Sequence, residues 1–327
     1  MEIRNLETGS FVAEGYQVQN KLGSGYRASC YEVTDTTCDK PYCFKITQSP
    51  IEDISTTPRE VNNNKILDQQ EADPEKHLAE SLRFQLEIHF LKELMTTQGV
   101  PNIYNWGNVS QKRKPGEPKE EPSPPQHGFL ICDLMPGETI HDLVTFYREE
   151  FTYQEVLKVA FQVAKILEQA HAKNILHRDI KPKNLLWDPE TQRTSLVDWG
   201  MSAYLNPETK KILYPEKDGV ILGTLRLLAP EQADGLNEEV GIATDIFNLG
   251  GTIYTMLTQR YLYQGEDEWE TIGAAMIANF RPLDDSFPEG IRDLVHKALA
   301  FSPTDRFSSA KEFATAIREV AEKEEKS

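Results

Sequence analysis

Residues 246–259 carry no charge, fourteen residues opened by Asp245 and closed by Arg260. That is too short for a bilayer, which takes about 20 helical residues. It is also apolar nearly all round, whereas a surface helix keeps a polar face. The stretch therefore predicts a helix over 246–257 that protein wraps on every side. A chain of 327 residues is long enough to do this in one large domain or two modest ones. Its 39% hydrophobic and 27% charged content suits an ordinary water-soluble globule.

The text before and after residue 135 differs in period. Residues 16–22, 28–33 and 41–46 carry β-branched, aromatic and Cys side chains between Gly, Asp and Pro, which predicts strands. Residues 48–80 turn polar and read as an insertion with some helix. Leu82, Leu86, Phe90 and Leu94 then recur every four residues and predict an amphipathic helix. Strand-like text resumes over 102–109 and 129–134. Between them, residues 111–127 mix five prolines with both charge signs and predict a mobile loop, whose Lys112-Arg113-Lys114 reads as solvated rather than as a targeting signal. Beyond residue 135 the pattern is helical. Thr152 and Glu155 form a capping box ahead of Val156, Ala160, Val163, Leu167 and Ala170, and Asn174 is placed to end that helix in a left-handed turn. Ser309 and Glu312 cap a last helix. The order predicts an α+β chain with a strand-rich N-lobe (14–135) and a larger helical C-lobe (136–320).

Lys and Arg total 35 against 52 acids, a formal charge of −17, which argues against nucleic-acid binding by charge and makes basic substrates or partners plausible. The start, Met1-Glu2-Ile3-Arg4-Asn5, lacks the apolar stretch of a signal peptide. Cys30, Cys38, Cys43 and Cys132 form no Cys-x-x-Cys pair and read as reduced thiols. These features predict a cytoplasmic protein with no membrane span.

The strongest local signal is His177-Arg178-Asp179-Ile180-Lys181-Pro182-Lys183-Asn184, with Asp198-Trp199-Gly200 fourteen residues beyond Asn184 and Ala229-Pro230-Glu231 later. In this order and spacing the triplets resemble the catalytic domain of the eukaryotic-type (Hanks-type) serine/threonine protein kinases. The resemblance covers roughly residues 14–320. It implies a bilobal fold with a small antiparallel β-sheet N-lobe carrying one helix. It also implies ATP and Mg²⁺ as cofactors and a protein as substrate.

The resemblance assigns roles residue by residue. Asp179 would orient the acceptor hydroxyl and Lys181 would place a cation beside the transferring group. Asn184 and Asp198 would offer hard oxygen ligands to Mg²⁺. Lys45, in Cys43-Phe44-Lys45, would grip phosphates with Glu87 as its partner, Glu80 and Glu93 being rivals. Gly23 and Gly25, in Leu22-Gly23-Ser24-Gly25, would let the backbone approach phosphates without Cβ contacts. Cys30, Cys43, Asp133 and Met135 complete the implied nucleotide contacts. The chain departs from the family pattern at Arg27, Ala28 and Cys30 in the glycine loop and at Trp199, where phenylalanine is usual. The larger ring reads as a core residue in the same slot.

Arg178 resembles the arginine that grips an activation-segment phosphate, with Ser202, Tyr204, Thr209 and Tyr214 as candidate acceptors and Glu216 or Asp218 as unmodified counter-charges. Gly223-Thr224 ahead of Ala229-Pro230-Glu231, with Lys181, favours serine/threonine over tyrosine. Glu231 and Arg306 match a buried ion pair, and Asp245 matches the residue that holds the catalytic loop. The alternative is a pseudokinase-type nucleotide-binding scaffold, which would normally lack one of Lys45, Asp179, Asn184 or Asp198. A small-molecule phosphotransferase would normally lack Ala229-Pro230-Glu231 and its arginine. Neither oligomeric state nor the particular substrate is written in a motif.

Overall fold

Period-two alternation builds the N-lobe. Along β3 (Ala28–Asp35) and β4 (Pro41–Thr47), Tyr31, Val33, Tyr42, Phe44 and Ile46 turn to one face and are buried with Val18, Phe129 and Ile131. The structure, a computed structural model, describes residues 6, 11–13, 15–25, 27–48, 76–110, 126–147, 151–213, 221–235 and 238–325. They fall into two units, Met1–Met95 with Pro101–Met135, and Thr96–Val100 with Pro136–Ser327.

In the first unit, β1 (Phe11–Ala13), β2 (Tyr16–Ser24), β3, β4, β5 (Ile103–Ser110) and β6 (Gln126–Asp133) form one antiparallel sheet in the order β1-β2-β3-β4-β6-β5. Register sets Cys30 opposite Lys45 and Cys43 opposite Cys132. These four residues therefore share the face turned away from the aromatic core. The expected helix is α1 (Lys76–Glu93), but its buried stripe differs from the four-residue repeat. Phe90 and Leu94 are buried, Leu82 and Leu86 are half-buried, and Phe84, Glu87, Ile88 and Leu91 are buried outside the repeat. A 3.6-residue turn drifts away from strict four-residue spacing and selects this alternating three-and-four set instead. The insertion read at 48–80 lies outside the described residues over 49–75, and the proline-rich segment does so over 111–125. Gln126 and His127 belong to β6, where the His127 ring nitrogen Nδ1 lies 2.8 Å from the Thr47 carbonyl.

The second unit is mainly helical: α2 (Ile140–Asp142), α3 (Tyr153–Ala172), α4 (Pro230–Ala233), α5 (Ile242–Thr258), α6 (Glu268–Met276), α7 (Glu289–Ala298) and α8 (Ala310–Glu324). The Thr152 hydroxyl accepts from the Glu155 N–H at 3.2 Å and Glu155 accepts from the Thr152 N–H at 2.8 Å, closing the predicted box at the start of α3. Asn174 ends that segment with φ +57°. The uncharged stretch forms α5, buried from Thr244 through Met256. It can be enclosed because Gly250 lets α7 come close: a Cβ there would lie 2.9 Å from the Ala298 Cβ and 3.3 Å from Leu299.

The mainly helical second unit also carries short strands that no sequence period announced. Leu185–Asp188 (β9) and Arg193–Leu196 (β10) form an antiparallel hairpin, flanked by Glu138–Thr139 (β7), and Ile175–Leu176 (β8) pairs with Ala203–Tyr204 (β11). The hairpin is local: Asp188 accepts from the Glu190 N–H at 3.0 Å and Gln192 takes φ +53° to close the turn.

Glu231 opens α4 and meets Arg306 in a two-pronged ion pair of 2.7 and 2.9 Å, with both side chains at most 1% exposed. Arg306 also donates to the carbonyls of Ala243, Ala300 and Phe301, and Thr244 donates to Glu231. Removing one partner strands the other charge in the interior. Arg306→Ala should cost about 3–5 kcal/mol in urea-unfolding stability of this unit. A loss below about 1 kcal/mol, the size expected of a surface pair, would contradict that assignment.

Candidate active site

In the N-lobe, Lys45 donates to Glu87 at 2.6 Å, with side-chain exposures of 14% and 5%. Of the two rivals, Glu93 is exposed, and the side chain of Glu80 is outside the described residues. An acid inside the apolar stripe of α1 was the usable signal. At an effective dielectric of 20, two unit charges 4 Å apart attract by about 4 kcal/mol, against about 1 kcal/mol in water. Partial burial is what makes this pair tight.

The turn between β2 and β3 carries Gly23 and Gly25. A Cβ on Gly23 would meet nothing within 4 Å, and one on Gly25 only the Ala28 carbonyl at 3.9 Å. Neither has left-handed backbone. No neighbour and no turn within the described residues requires these glycines, so a bare backbone at this point suits the approach of an outside group. The turn is held by the Gly25 N–H to Ala28 O at 2.9 Å, Gln48 Nε2 to Gly25 O at 2.6 Å and the Ser24 and Ser29 hydroxyls at 2.7 Å. Leu22 is 47% exposed.

The other implied nucleotide contacts divide. Cys30 and Cys43 share the Lys45 face. The Asp133 carboxylate is engaged elsewhere: it accepts from Asn102 N and Nδ2 at 3.0 and 2.8 Å and from the Tyr104 hydroxyl at 2.8 Å. Its side chain thus ties down the Asn102 segment, and Met135, two residues on, is half-buried. The four cysteines are free thiols. The neighbouring Cys132 thiol, with burial, pushes the Cys43 pKa well up, outweighing Cys30 and Lys45, which pull it down.

In the C-lobe, the loop that runs from His177 to Asn184 hangs from Asp245. This fully buried carboxylate accepts from the His177 N–H at 2.9 Å, the Arg178 N–H at 2.8 Å and His171 Nε2 at 2.9 Å. Burial alone would raise its pKa, but the His171 hydrogen bond and charge, with His177, hold it below its ordinary value. Arg178 takes φ +66°, a costly backbone for a long side chain, and the Gln232 amide grips its carbonyl at 2.8 Å. Its guanidinium donates to Met201 O at 2.7 Å and Ser202 O at 3.4 Å. Burial lowers the His177 pKa, and the ring accepts from the Asp179 N–H at 3.3 Å on Nδ1, so its proton sits on Nε2 toward Val197 O.

Asp179 follows and is where the loop converges. Lys181 Nζ donates to it at 2.6 Å, the Thr224 hydroxyl at 2.9 Å and Asn184 Nδ2 at 3.3 Å, while Asn184 Nδ2 also reaches the Asp179 carbonyl at 2.9 Å. A carboxylate held by three donors is fixed in position and can accept from a hydroxyl. Asn184 and Asp198 meet through the hairpin. Leu185 pairs with Leu196, the Val197 N–H donates to Asn184 O at 2.9 Å, and Asp198 comes next, exposed and left-handed at φ +61°. With its Nδ2 committed to Asp179, Asn184 keeps an amide oxygen for a cation, and Asp198 adds a carboxylate. Among the described residues no cluster of three His, Cys, Asp or Glu could hold a metal by itself. Two hard oxygen donors fit Mg²⁺, which keeps waters and shares phosphate oxygens, better than a metal needing a full protein cage. Trp199 is 1% exposed, and its Nε1–H donates to Leu196 O at 3.2 Å, a bond phenylalanine lacks.

Of the candidate phosphate acceptors, Ser202 is 6% exposed and Tyr204 lies in β11, half-buried. Thr209 is exposed in a turn. Tyr214, Glu216 and Asp218 lie outside the described residues. Sequence reasoning missed His171 and Gln232, whose partners lie 74 and 54 residues away. Both lie in helices that carry other polar residues, so neither stands out locally.

Comparison with known proteins agrees with this geometry. A family described as protein kinase domain matches residues 55–318, and the chain belongs to that family. The matched span starts beyond Lys45, so the glycine turn and the Lys45–Glu87 pair rest on geometry. The chain is 25% identical over 312 residues to a probable serine/threonine-protein kinase PknB of Bifidobacterium longum, covering 92% of this chain and 39% of the relative. It is 22% identical over 307 residues to the serine/threonine-protein kinase PknA of Mycobacterium tuberculosis, covering 93% and 61%. A probable serine/threonine-protein kinase of Clostridium perfringens is 26% identical over 196 residues, covering 59% and 27%. The chain thus spans from about a quarter to about three fifths of the length of these relatives. No helix among the described residues is long and apolar enough to cross a membrane.

The thiols give a direct test of the N-lobe face. With iodoacetamide at pH 8, exposed Cys38 should alkylate at least about tenfold faster than Cys43, whose thiolate fraction falls tenfold per unit of raised pKa. Equal rates by mass spectrometry would contradict the cysteine arrangement.

Proposed function

We propose that the chain is an ATP-dependent protein kinase that transfers the γ-phosphoryl group to serine or threonine hydroxyls of protein substrates, with Mg²⁺ as cofactor. The observation that carries this is Asp179 held by Lys181, Thr224 and Asn184. An aspartate near pKa 4 is a weak base toward an alcohol. Asp179 therefore orients the hydroxyl first and accepts its proton late, once the bond to phosphorus has begun to form. Lys181 sits beside that oxygen and offsets charge on the transferring group. Lys45, kept in place by Glu87, neutralises phosphate charge, and the Cβ-free backbone at Gly23 and Gly25 leaves room for the phosphates to approach. Asn184 and Asp198 would hold Mg²⁺, which supplies electrostatic stabilisation of the phosphates. The Thr224–Asp179 bond and the names of the relatives favour serine and threonine over tyrosine. The four free thiols suit a reducing, cytoplasmic setting.

Incubation with labelled ATP, Mg²⁺ and myelin basic protein or casein tests the reading. Asp179→Asn should slow transfer by about 10²–10⁴-fold while nucleotide still binds, and phosphoamino-acid analysis should show phosphoserine or phosphothreonine. Nucleotide binding without any transfer by the unaltered protein would overturn the proposal in favour of a scaffold.

A further inference from the structure

A cavity of about 260 Å³ lies in the C-lobe, lined by Lys181, Pro182, Lys183, Thr224, Arg226 and Tyr261. Lys181 and Thr224 are the residues that donate to Asp179, so the cavity begins where the acceptor hydroxyl is to be held. Three of its six lining residues are cations and none is acidic. Lys181 is committed to Asp179. Lys183 and Arg226 are exposed, and among the described residues neither has a carboxylate within ion-pair distance. The Arg226 guanidinium carbon lies 5.7 Å from the centre of the Tyr261 ring, which braces it at the wall without cancelling its charge. Tyr261 is in turn held by its hydroxyl, 3.1 Å from His141 Nδ1. Burial, with Lys183 nearby, lowers the His141 pKa, so that ring adds no charge near neutral pH. A lone surface lysine needs no ligand. A braced arginine and a lysine sharing one cavity with the acceptor site, on a chain of net charge −17, form a local positive field that the overall charge opposes.

We infer that this cavity takes an acidic side chain, a carboxylate or a phosphate, from the residue next to the acceptor serine or threonine, so that the enzyme selects acidic sequences. This rests on the kinase reading above. It also reverses the expectation from net charge, under which basic substrates were plausible, because selection acts through the few charges within reach of the substrate and distant ones are screened. Arg226 presents a planar fork suited to either anion, and Lys183 adds a point charge.

The test uses serine peptides of one sequence in which each flanking position carries Asp, Glu, phosphoserine, Ala or Lys. It reads kcat/KM for transfer and, separately, binding by fluorescence anisotropy of labelled copies. Acidic peptides should exceed the Ala peptide by about tenfold, from two partly exposed ion pairs. The Lys peptide should fall below Ala, and the spread should shrink as NaCl rises. The double variant Lys183→Glu with Arg226→Glu should invert the order. An advantage confined to phosphoserine identifies substrates that are already phosphorylated, whereas one shared by Asp and Glu identifies acidic sequences; both support the site. A flat profile in transfer and binding, or a double variant that keeps the acid preference, overturns it. Acid-selective binding without transfer to any peptide leaves the cavity standing and counts against the kinase reading instead.

Discussion

The carboxylate of Asp245 is the constraint on which the C-lobe site depends. A fully buried charge costs several kcal/mol unless hydrogen bonds replace its water. Here the replacement comes from two consecutive backbone amides, at His177 and Arg178, and from His171. Satisfying the carboxylate therefore dictates the path of the loop. It forces Arg178 into left-handed backbone, and that turn sets where Asp179 emerges. Gln232 then secures the Arg178 carbonyl, and Asn248 secures Gln232, so α4 and α5 both bear on the loop. The apolar enclosure of α5 is what makes its one acidic residue able to organise anything.

The N-lobe uses the same economy on a smaller scale. Its sheet puts an aromatic core on one face and leaves Lys45 on the other, where a single acid from α1 meets it. In both units a charge is taken out of water and given a defined partner, which converts a flexible side chain into a positioned one. Glu231 and Arg306 repeat the device with no open chemistry nearby, and there the result is anchorage alone. The cations around the Arg226 cavity are the contrast: Lys183 and Arg226 stay exposed, which suits a ligand that comes and goes.

Much of this was legible in the sequence because it is local. The capping box at Thr152, the N-cap at Ser309, the left-handed Asn174 and the enclosed helix each follow from residues within one or two turns. The ordered triplets marked Asp179, Asn184 and Asp198 for the same reason. The hairpin of β9 and β10 was overlooked because its strands have four residues each, too few to show a period against helical surroundings. Pairings such as His171 with Asp245 were invisible because sequence distance hides them. The buried stripe of α1 was misread at Leu82 and Leu86, since a four-residue repeat only approximates a turn of 3.6. The bonds from the Asp133 carboxylate to Asn102 and Tyr104 were equally hidden, since only the sheet register brings them about.

The measurement that bears most directly on this account is amide hydrogen exchange in Asp245→Asn, followed by mass spectrometry. The account predicts that the peptide containing His177 and Arg178 exchanges at least about tenfold faster than in the unaltered protein, each 1.4 kcal/mol of lost protection being a factor of ten. Peptides from β3 and β4 should exchange as before. Unchanged protection at His177 and Arg178 in a folded variant would mean that the buried carboxylate does not hold the loop.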